Sequence, residues 1–451
     1  GVTDAVEVES QYRYWRVRIL YGLFVGYALF YLIRLSLSVA TPAMMIDLQM
    51  SKSDIGWLTS AFGLIYGLSK LVNGMLGDQA NLRFFMAIGL MAASISCIFF
   101  GYSTGFWPLM IFWGFNAWFQ GMGWPPCARG LTQWYSTSER GTFWGIWNSS
   151  HQVGGAIILV AAGFLVEHYG WRSAFIIPAV FTFLMGFFLI NRLRDRPQSL
   201  GLPAIEKYKN EPTGEEHLDD EKLPFKTVLF KYVLTNPYIW AVALANFFVY
   251  AVRYGALTWA ITYLVEMKHA PISSASIKGA GFEIMGLVGA FSAGFISDKV
   301  FKGRRGPANV IYMLILIPAI LLFWLNPPGN PTWDLIGLSL VGFFVYGPQM
   351  LVGVSAADLA GKRAAATATG FTGWLGYLGQ VLAGVGIGKI VEAYGWNGGF
   401  AVLTACAVLG AACFAVTWNA KAGSRSSERF GRSAVSGVQR SALDQAKQKR
   451  A

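Results

Sequence analysis

Charge is scarce in this chain of 451 residues: Asp, Glu, Lys and Arg make up 13%, where a soluble domain typically carries roughly 25%. So little polar surface cannot cover a soluble globule of this length. Histidine and cysteine are scarcer still, at four each. Cys97, Cys127, Cys406 and Cys413 all fall in apolar stretches and none has a short paired spacing, so neither a zinc site nor a redox pair is expected. Nucleophile, base and metal ligands do not occur at usable spacing in the apolar runs, which argues against an enzyme and implies no cofactor and no metal. The start, GVTDAVEVES, lacks a basic stretch ahead of an apolar core, so no cleavable signal peptide is expected.

Apolar residues are plentiful instead. Hydrophobic residues reach 54% and aromatics 15%, too many for a disordered chain, and the expectation is an all-α integral membrane protein. A bilayer core takes about 20 apolar residues per helix. Twelve runs of that kind occur, at about 17–40, 54–77, 84–103, 106–129, 142–166, 172–192, 237–265, 276–297, 308–326, 332–355, 365–390 and 397–418. The expected organisation is a cytoplasmic N-terminus (1–16), a six-helix bundle (17–192), a charged central loop (193–236), a second six-helix bundle (237–418) and a basic, disordered tail (419–451) that touches anionic lipid.

The net charge of +12 belongs to loops rather than to a nucleic-acid site. Loops on one side hold Arg83, Arg129, Arg140, Lys299, Lys302, Arg304, Arg305, Lys362 and Arg363, and those on the other only Lys52, Arg172, Lys268, Lys278 and Lys389. The bias places both termini and the central loop in the cytoplasm and the chain in the inner membrane. Three landmarks recur at nearly one offset: GMLGD and GFISD end at Asp78 and Asp298, YGWRSAF and YGWNGGF begin at Tyr169 and Tyr394, and FYLIR and VYAVR end at Arg34 and Arg253. Their order argues for a duplicated six-helix unit, the layout of transporters that bind cargo near the midplane between two halves.

An ionisable residue inside a span costs about 2.5 to 3.5 kcal/mol on insertion scales and marks a functional candidate. Arg34 and Arg253 lie deep in the first and seventh spans, at equivalent places in the repeat, with Lys70, His151 and Glu283 in the second, fifth and eighth. Snorkelling to an interface is the alternative for one arginine, but symmetry puts this pair on facing helices. Two guanidiniums with few carboxylates nearby call for an anion, and their planar forks match phosphate oxygens. Trp147, Asn148 and His151 share one helical face, and Tyr27, Tyr31, Tyr66, Trp124, Tyr250, Tyr346 and Tyr377 offer phenol and indole donors around a sugar or glycerol group. Glu283 is a proton site, a partner of His151 or a counterion to Lys278.

The loops GMLGDQANLR and GFISDKVFKGRRG combine an Asp at one helix end with basic residues near the next. They read as gates on the cytoplasmic side, built from Asp78, Arg83, Asp298, Lys299, Arg304 and Arg305. GMGWPPCARG is expected to break or bend the fourth span.

FQGMGWPPC, RGTFWGIWNSSHQVGG, DRPQSLGLP, SDKVFKGRRG, FFVYGPQMLVG and ATGFTGWLGYLG are long motifs, and on them the chain, from Tyr12 to about Trp418, resembles the organophosphate:phosphate antiporter family of the major facilitator superfamily. That family includes bacterial glycerol-3-phosphate and hexose-phosphate transporters and a membrane sensor. The resemblance implies a major facilitator fold and phosphate-binding arginines at Arg34 and Arg253. It also implies a cavity lysine at Lys70, a mobile histidine at His151 and cavity aromatics at Tyr27, Tyr31, Trp124, Trp147, Tyr250, Tyr346 and Tyr377. It implies exchange of a small phosphate ester, glycerol-3-phosphate or a hexose 6-phosphate, for inorganic phosphate by a monomer in the lipid bilayer. Departures from the family pattern are Leu35 in place of Lys, Thr258 in place of Asp and Gln152 in place of Asn. The rival reading is a receptor that senses a sugar phosphate and signals to a membrane kinase, since QYRYWR, GYALFYLIR and WYSTSERG look closest to the sensor.

Overall fold

The computed structural model describes residues 4–210, 224–360 and 364–421, and all regular structure among them is helical. Among the described residues eleven helical stretches are long and apolar enough to cross a bilayer. A further crossing, the fourth, is split at 121–123 into Phe106–Gln120 and Trp124–Trp134, as GMGWPP suggested, with Pro125 and Pro126 opening the second piece. With twelve crossings the two described chain ends lie on one side of the molecule, the terminal side.

Helix lengths repeat between the halves. The second and eighth crossings, Lys52–Gln79 and Ile272–Lys299, are both 28 residues, the third and ninth, Leu82–Tyr102 and Arg305–Leu325, both 21, and the sixth and twelfth, Ser173–Arg192 and Trp396–Ala415, both 20. The first helix begins at Ala5, well before its apolar run, because its polar end has somewhere to pack. Tyr12 stacks on Tyr208 of the central segment with ring centroids 4.0 Å apart, and Arg16 pairs with Glu139. Four calls lie wholly or partly outside the described residues: the central loop at 211–223, the Lys362 and Arg363 loop, the tail from residue 422, and the side chains of Asp78 and Arg140.

Away from the termini the two sets of six crossings close on each other. Apolar helices gain little from leaving lipid for one another, so close association needs small residues and polar links. At the seam a Cβ on Gly56 would lie 2.6 Å from the Gly384 carbonyl oxygen, a distance only glycine allows. The eleventh crossing relaxes to a π-helical turn at Leu382–Gly386, and the backbone groups this frees are taken up by neighbours. Ser60 of the second crossing donates to the Val381 carbonyl at 3.0 Å and accepts from the Val385 N–H at 2.9 Å, while Trp259 donates to the Ala383 carbonyl at 2.8 Å. Further out, the Ser53 N–H and hydroxyl donate to Glu392 at 2.7 and 2.6 Å, and Lys52 pairs with Glu266 at 3.1 Å.

Candidate functional site

The first crossing is interrupted at 33–35, between Ala5–Leu32 and Ser36–Asp47, and Arg34 sits in the break rather than inside a continuous helix. A backbone carbonyl without a partner in hydrocarbon costs several kcal/mol, so such a break needs partners. The fourth crossing supplies them one turn apart: Asn116 Nδ2 donates to the Ile33 carbonyl at 2.8 Å and Gln120 Nε2 to the Phe30 carbonyl at 2.9 Å. Both side chains are buried. They hold open the turn from which the Arg34 side chain projects.

Arg34 and Arg253 converge from the two halves on one phenol. Arg34 Nη2 donates to Tyr254 Oη at 3.3 Å, and the Arg253 guanidinium lies 4.7 Å from the centroid of the same ring. Aromatic faces surround both cations: Tyr66 and Tyr31 lie 4.4 and 4.9 Å from the Arg34 guanidinium, and Tyr346 lies 4.8 Å from that of Arg253. The two residues are 7% and 4% exposed, so neither faces lipid, and among the described residues no carboxylate comes within 4.0 Å of either. Quadrupole attraction from ring faces is worth roughly 0.5 to 2 kcal/mol each, which steadies a buried guanidinium without neutralising it. The pair is therefore two positive charges without an ion-pair partner, and the nearby carboxylate, Glu283, reaches Arg253 only through Tyr346, which donates to it and whose ring faces the guanidinium.

A cavity of about 760 Å³ opens from this point toward the terminal side. Lys70, Trp124, Asn148, His151, Tyr250, Tyr346 and Tyr377 line it. Arg34 and Arg253 stand beyond its inner end rather than in its wall, and Tyr27, Tyr31, Tyr66 and Trp147 lie behind the lining. Tyr27 packs on Trp147 and on Tyr31, and Tyr66 packs edge-on against Tyr377 of the other half. The helix of the fifth crossing is offset at Ser149, which turns Asn148 and His151 to the cavity while Trp147 is fully buried. Lys70 Nζ lies 5.2 Å from the Trp124 ring.

Of the partners considered for Glu283, the structure offers neither His151 nor Lys278 within ion-pair distance. Tyr346 Oη donates to Glu283 Oε1 at 2.8 Å, Lys278 donates to Ser274, and Glu283 Oε2 is buried without a partner. That oxygen lies across the seam against the first half, 3.3 Å from where a Cβ on Gly155 would stand, beside Leu35. His151 links the halves in the same way, with its ring centroid 5.4 Å from Tyr31 and 6.2 Å from Tyr346.

On the terminal side Arg305 pairs with Asp298 at 2.6 Å and with Asp358 at 3.3 Å, all within the second half. Arg83 donates to the Ile190 carbonyl within the first half, and Lys299 is exposed. Arg304 is the N-cap residue of the ninth crossing. The contacts of Arg83 and Arg305 thus stay within their own halves while the cavity is open. A stronger local clamp is Asp195 of the DRPQSLGLP segment, which takes a fork from Arg129 at 2.9 and 3.0 Å and caps the third crossing by accepting from the Leu82 N–H at 3.0 Å. Burial pushes the Asp195 carboxyl up, but these hydrogen bonds together outweigh it and hold it below the usual carboxylate range.

Sequence reasoning passed over Tyr254, Asn246, Gln349, Asn116 and Gln120. The spacing of Asn246, Tyr250 and Arg253 on one helical face was a usable signal for the second of these. Nothing in the sequence pointed to Asn116 or Gln120, because their role exists only once the first crossing breaks beside them.

The chain matches the Major Facilitator Superfamily over residues 23–384. It is 46% identical over 431 residues to a probable hexose phosphate transport protein of Chlamydia pneumoniae, spanning 93% of this chain and 94% of that one. It is 42% identical over 411 residues to the membrane sensor protein UhpC of Escherichia coli (strain K12), spanning 91% and 94%. Among solved structures, a bacterial homologue of the human lysosomal transporter Spinster, inward-facing and unoccupied, superposes with a TM-score of 0.75 at 20% identity over 89% of this chain and 97% of that one, a likeness of fold.

Proposed function

Since the chain belongs to the major facilitator superfamily, and within it to the organophosphate:phosphate antiporter family, we propose that it exchanges a small organic phosphate ester for inorganic phosphate by alternating access. The observation that carries this reading is the meeting of Arg34 and Arg253 on Tyr254 with no carboxylate in ion-pair range among the described residues. Closing the terminal side over two like charges in low dielectric is unfavourable, and a phosphate dianion cancels them. Reorientation then requires cargo. Inorganic phosphate and a phosphate ester share that head group, so one leaves as the other enters.

The cationic loop bias supports a cytoplasmic terminal side in an inner membrane, with both termini and the central loop inside and the open cavity facing inward. Outward opening requires the Ser53–Glu392 and Lys52–Glu266 contacts to part and the terminal side to close, with Asp78, Arg83, Asp298, Lys299, Arg304 and Arg305 at the helix ends that then meet. A single chain holds the whole site, and a monomer suffices. Lys70 draws the anion in, His151 and Tyr346 contact the ester across the seam, and hexose 6-phosphate and glycerol-3-phosphate both fit in 760 Å³.

Similarity to a sensor favours a second reading, in which the same site binds a sugar phosphate and turns over slowly. Counterflow of labelled phosphate in proteoliposomes tests both. Fast exchange supports the antiporter, binding without flux supports the sensor, and no phosphate binding removes the site assignment altogether.

A further inference from the structure

We propose that the side-chain carbonyl of Asn246, with those of Gln152 and Gln349, reads hydroxyl groups at the far end of the cargo's carbon skeleton. The inference rests on the phosphate-ester reading above and deepens it.

Asn246 is 2% exposed, and its Nδ2 donates at 2.8 Å to the Thr372 carbonyl of the eleventh crossing. That bond settles which way the amide points, since a flipped amide would set two oxygens against each other. Its Oδ1 then remains as an acceptor with no partner. Gln152 Oε1 from the fifth crossing and Gln349 Oε1 from the tenth are buried and unpartnered too, and all three residues line the 760 Å³ cavity. An unmet buried acceptor costs about 1 to 3 kcal/mol. Acceptors are met by donors: hydroxyl groups supply them, whereas a second phosphate or a carboxylate brings only further oxygen lone pairs and negative charge.

Position sets the length of the cargo. Asn246, Tyr250 and Arg253 follow at intervals of four and three on one helical face, and a rise of about 1.5 Å per residue puts Asn246 about 10 Å from Arg253 toward the terminal side. Inorganic phosphate held at the arginines does not span that interval, a three-carbon ester covers part of it, and a six-carbon ester reaches furthest. The indoles of Trp124, Trp144 and Trp374 line the same chamber and offer apolar faces to the C–H face of a sugar ring.

The test uses the full chain in proteoliposomes. Glucose 6-phosphate, analogues with one hydroxyl replaced by hydrogen, and glycerol-3-phosphate compete against labelled inorganic phosphate, with the wild type and with Asn246→Leu. At least one deoxy analogue is expected to compete about tenfold less well with the wild type. Asn246→Leu is expected to lose a similar factor for the parent ester and none further for that analogue, with affinity for inorganic phosphate unchanged. The proposal is overturned if every analogue matches the parent, if the two losses multiply, or if Asn246→Leu weakens phosphate and ester alike, which would make Asn246 only a tie between helices. Should Asn246→Leu fail to reach the membrane, the analogue series on wild type and Gln349→Leu decides by the same criteria. Failure of inorganic phosphate itself to bind would instead strike the arginine reading.

Discussion

Removing the contacts that seal the side away from the termini should shift the molecule toward its outward-opening state, by an amount the geometry allows to be worked out. The double variant Glu266→Gln, Glu392→Gln takes both second-half carboxylates from the start of the second crossing. Hydrogen bonds to a charged group contribute about 1.5 to 3 kcal/mol when sheltered, but Glu392 is exposed and water replaces it at Ser53, so about 1 kcal/mol is a fair value. The Lys52–Glu266 pair has side chains 21% and 32% exposed and adds up to about 1 kcal/mol. About 2 kcal/mol in total corresponds to roughly a thirtyfold change in the ratio of the two states. Glu266 also accepts from Trp396 Nε1 at 3.1 Å within its own half, a bond that an amide oxygen keeps in both states, so only the contacts to Ser53 and Lys52 bear on the equilibrium. Spin labels on Gln49 and Tyr394, one in each half and both exposed, would report it by double electron–electron resonance in nanodiscs. The expected result is a new population at longer distance in the double variant, reversed by neither phosphate nor ester. An unchanged distance distribution would refute the assignment of these contacts as the seal.

Three further outcomes follow from the site. Arg34→Lys and Arg253→Lys keep the charge but lose the fork, and each should weaken phosphate binding at least about a hundredfold while the protein still reaches the membrane; near-normal phosphate uptake by either would remove the substrate assignment. His151→Ala should weaken binding of the phosphate ester about tenfold in competition assays, and unchanged affinity would leave His151 with a packing role between Tyr31 and Tyr346. Asp195→Asn should lower thermal stability in detergent at pH 7 by about 1.5 to 3 kcal/mol, through loss of the charged fork to Arg129. Because the folded carboxyl is held low, its contribution is present above the unfolded value of about 3.9 and is lost as pH falls through the folded value. The gap between wild type and variant should therefore shrink in acid, and an equal gap at pH 7 and pH 3 would contradict this.

Much was legible before any fold was known. Twelve apolar runs, the central charged stretch and the repeated landmarks at Asp78 and Asp298 come from composition and spacing, because hydrocarbon admits few polar residues and helices must be about 20 residues long. The exceptions to that apolarity, Arg34, Lys70, His151, Arg253 and Glu283, stood out for the same reason; Lys70 and His151 line one cavity, and Arg34, Arg253 and Glu283 are buried outside its lining. The break at GMGWPP was visible as glycine and proline chemistry, whereas the break at Arg34 was not, since no glycine or proline causes it. It is held by Asn116 and Gln120, more than eighty positions away.

Sequence alone determined which residues are too polar for lipid and that they come in a matched pair, since the cost of burying a charge depends on the residue itself. Only the tertiary structure decided what each charge faces: that Tyr254 stands between the two guanidiniums, that Glu283 answers to Tyr346 and not to Lys278 or His151, and that the molecule is shut on one side through Ser53 and Glu392. Those partners lie on other helices, and hydrogen bonds and Coulomb attraction depend on distances in space that spacing along the chain does not carry.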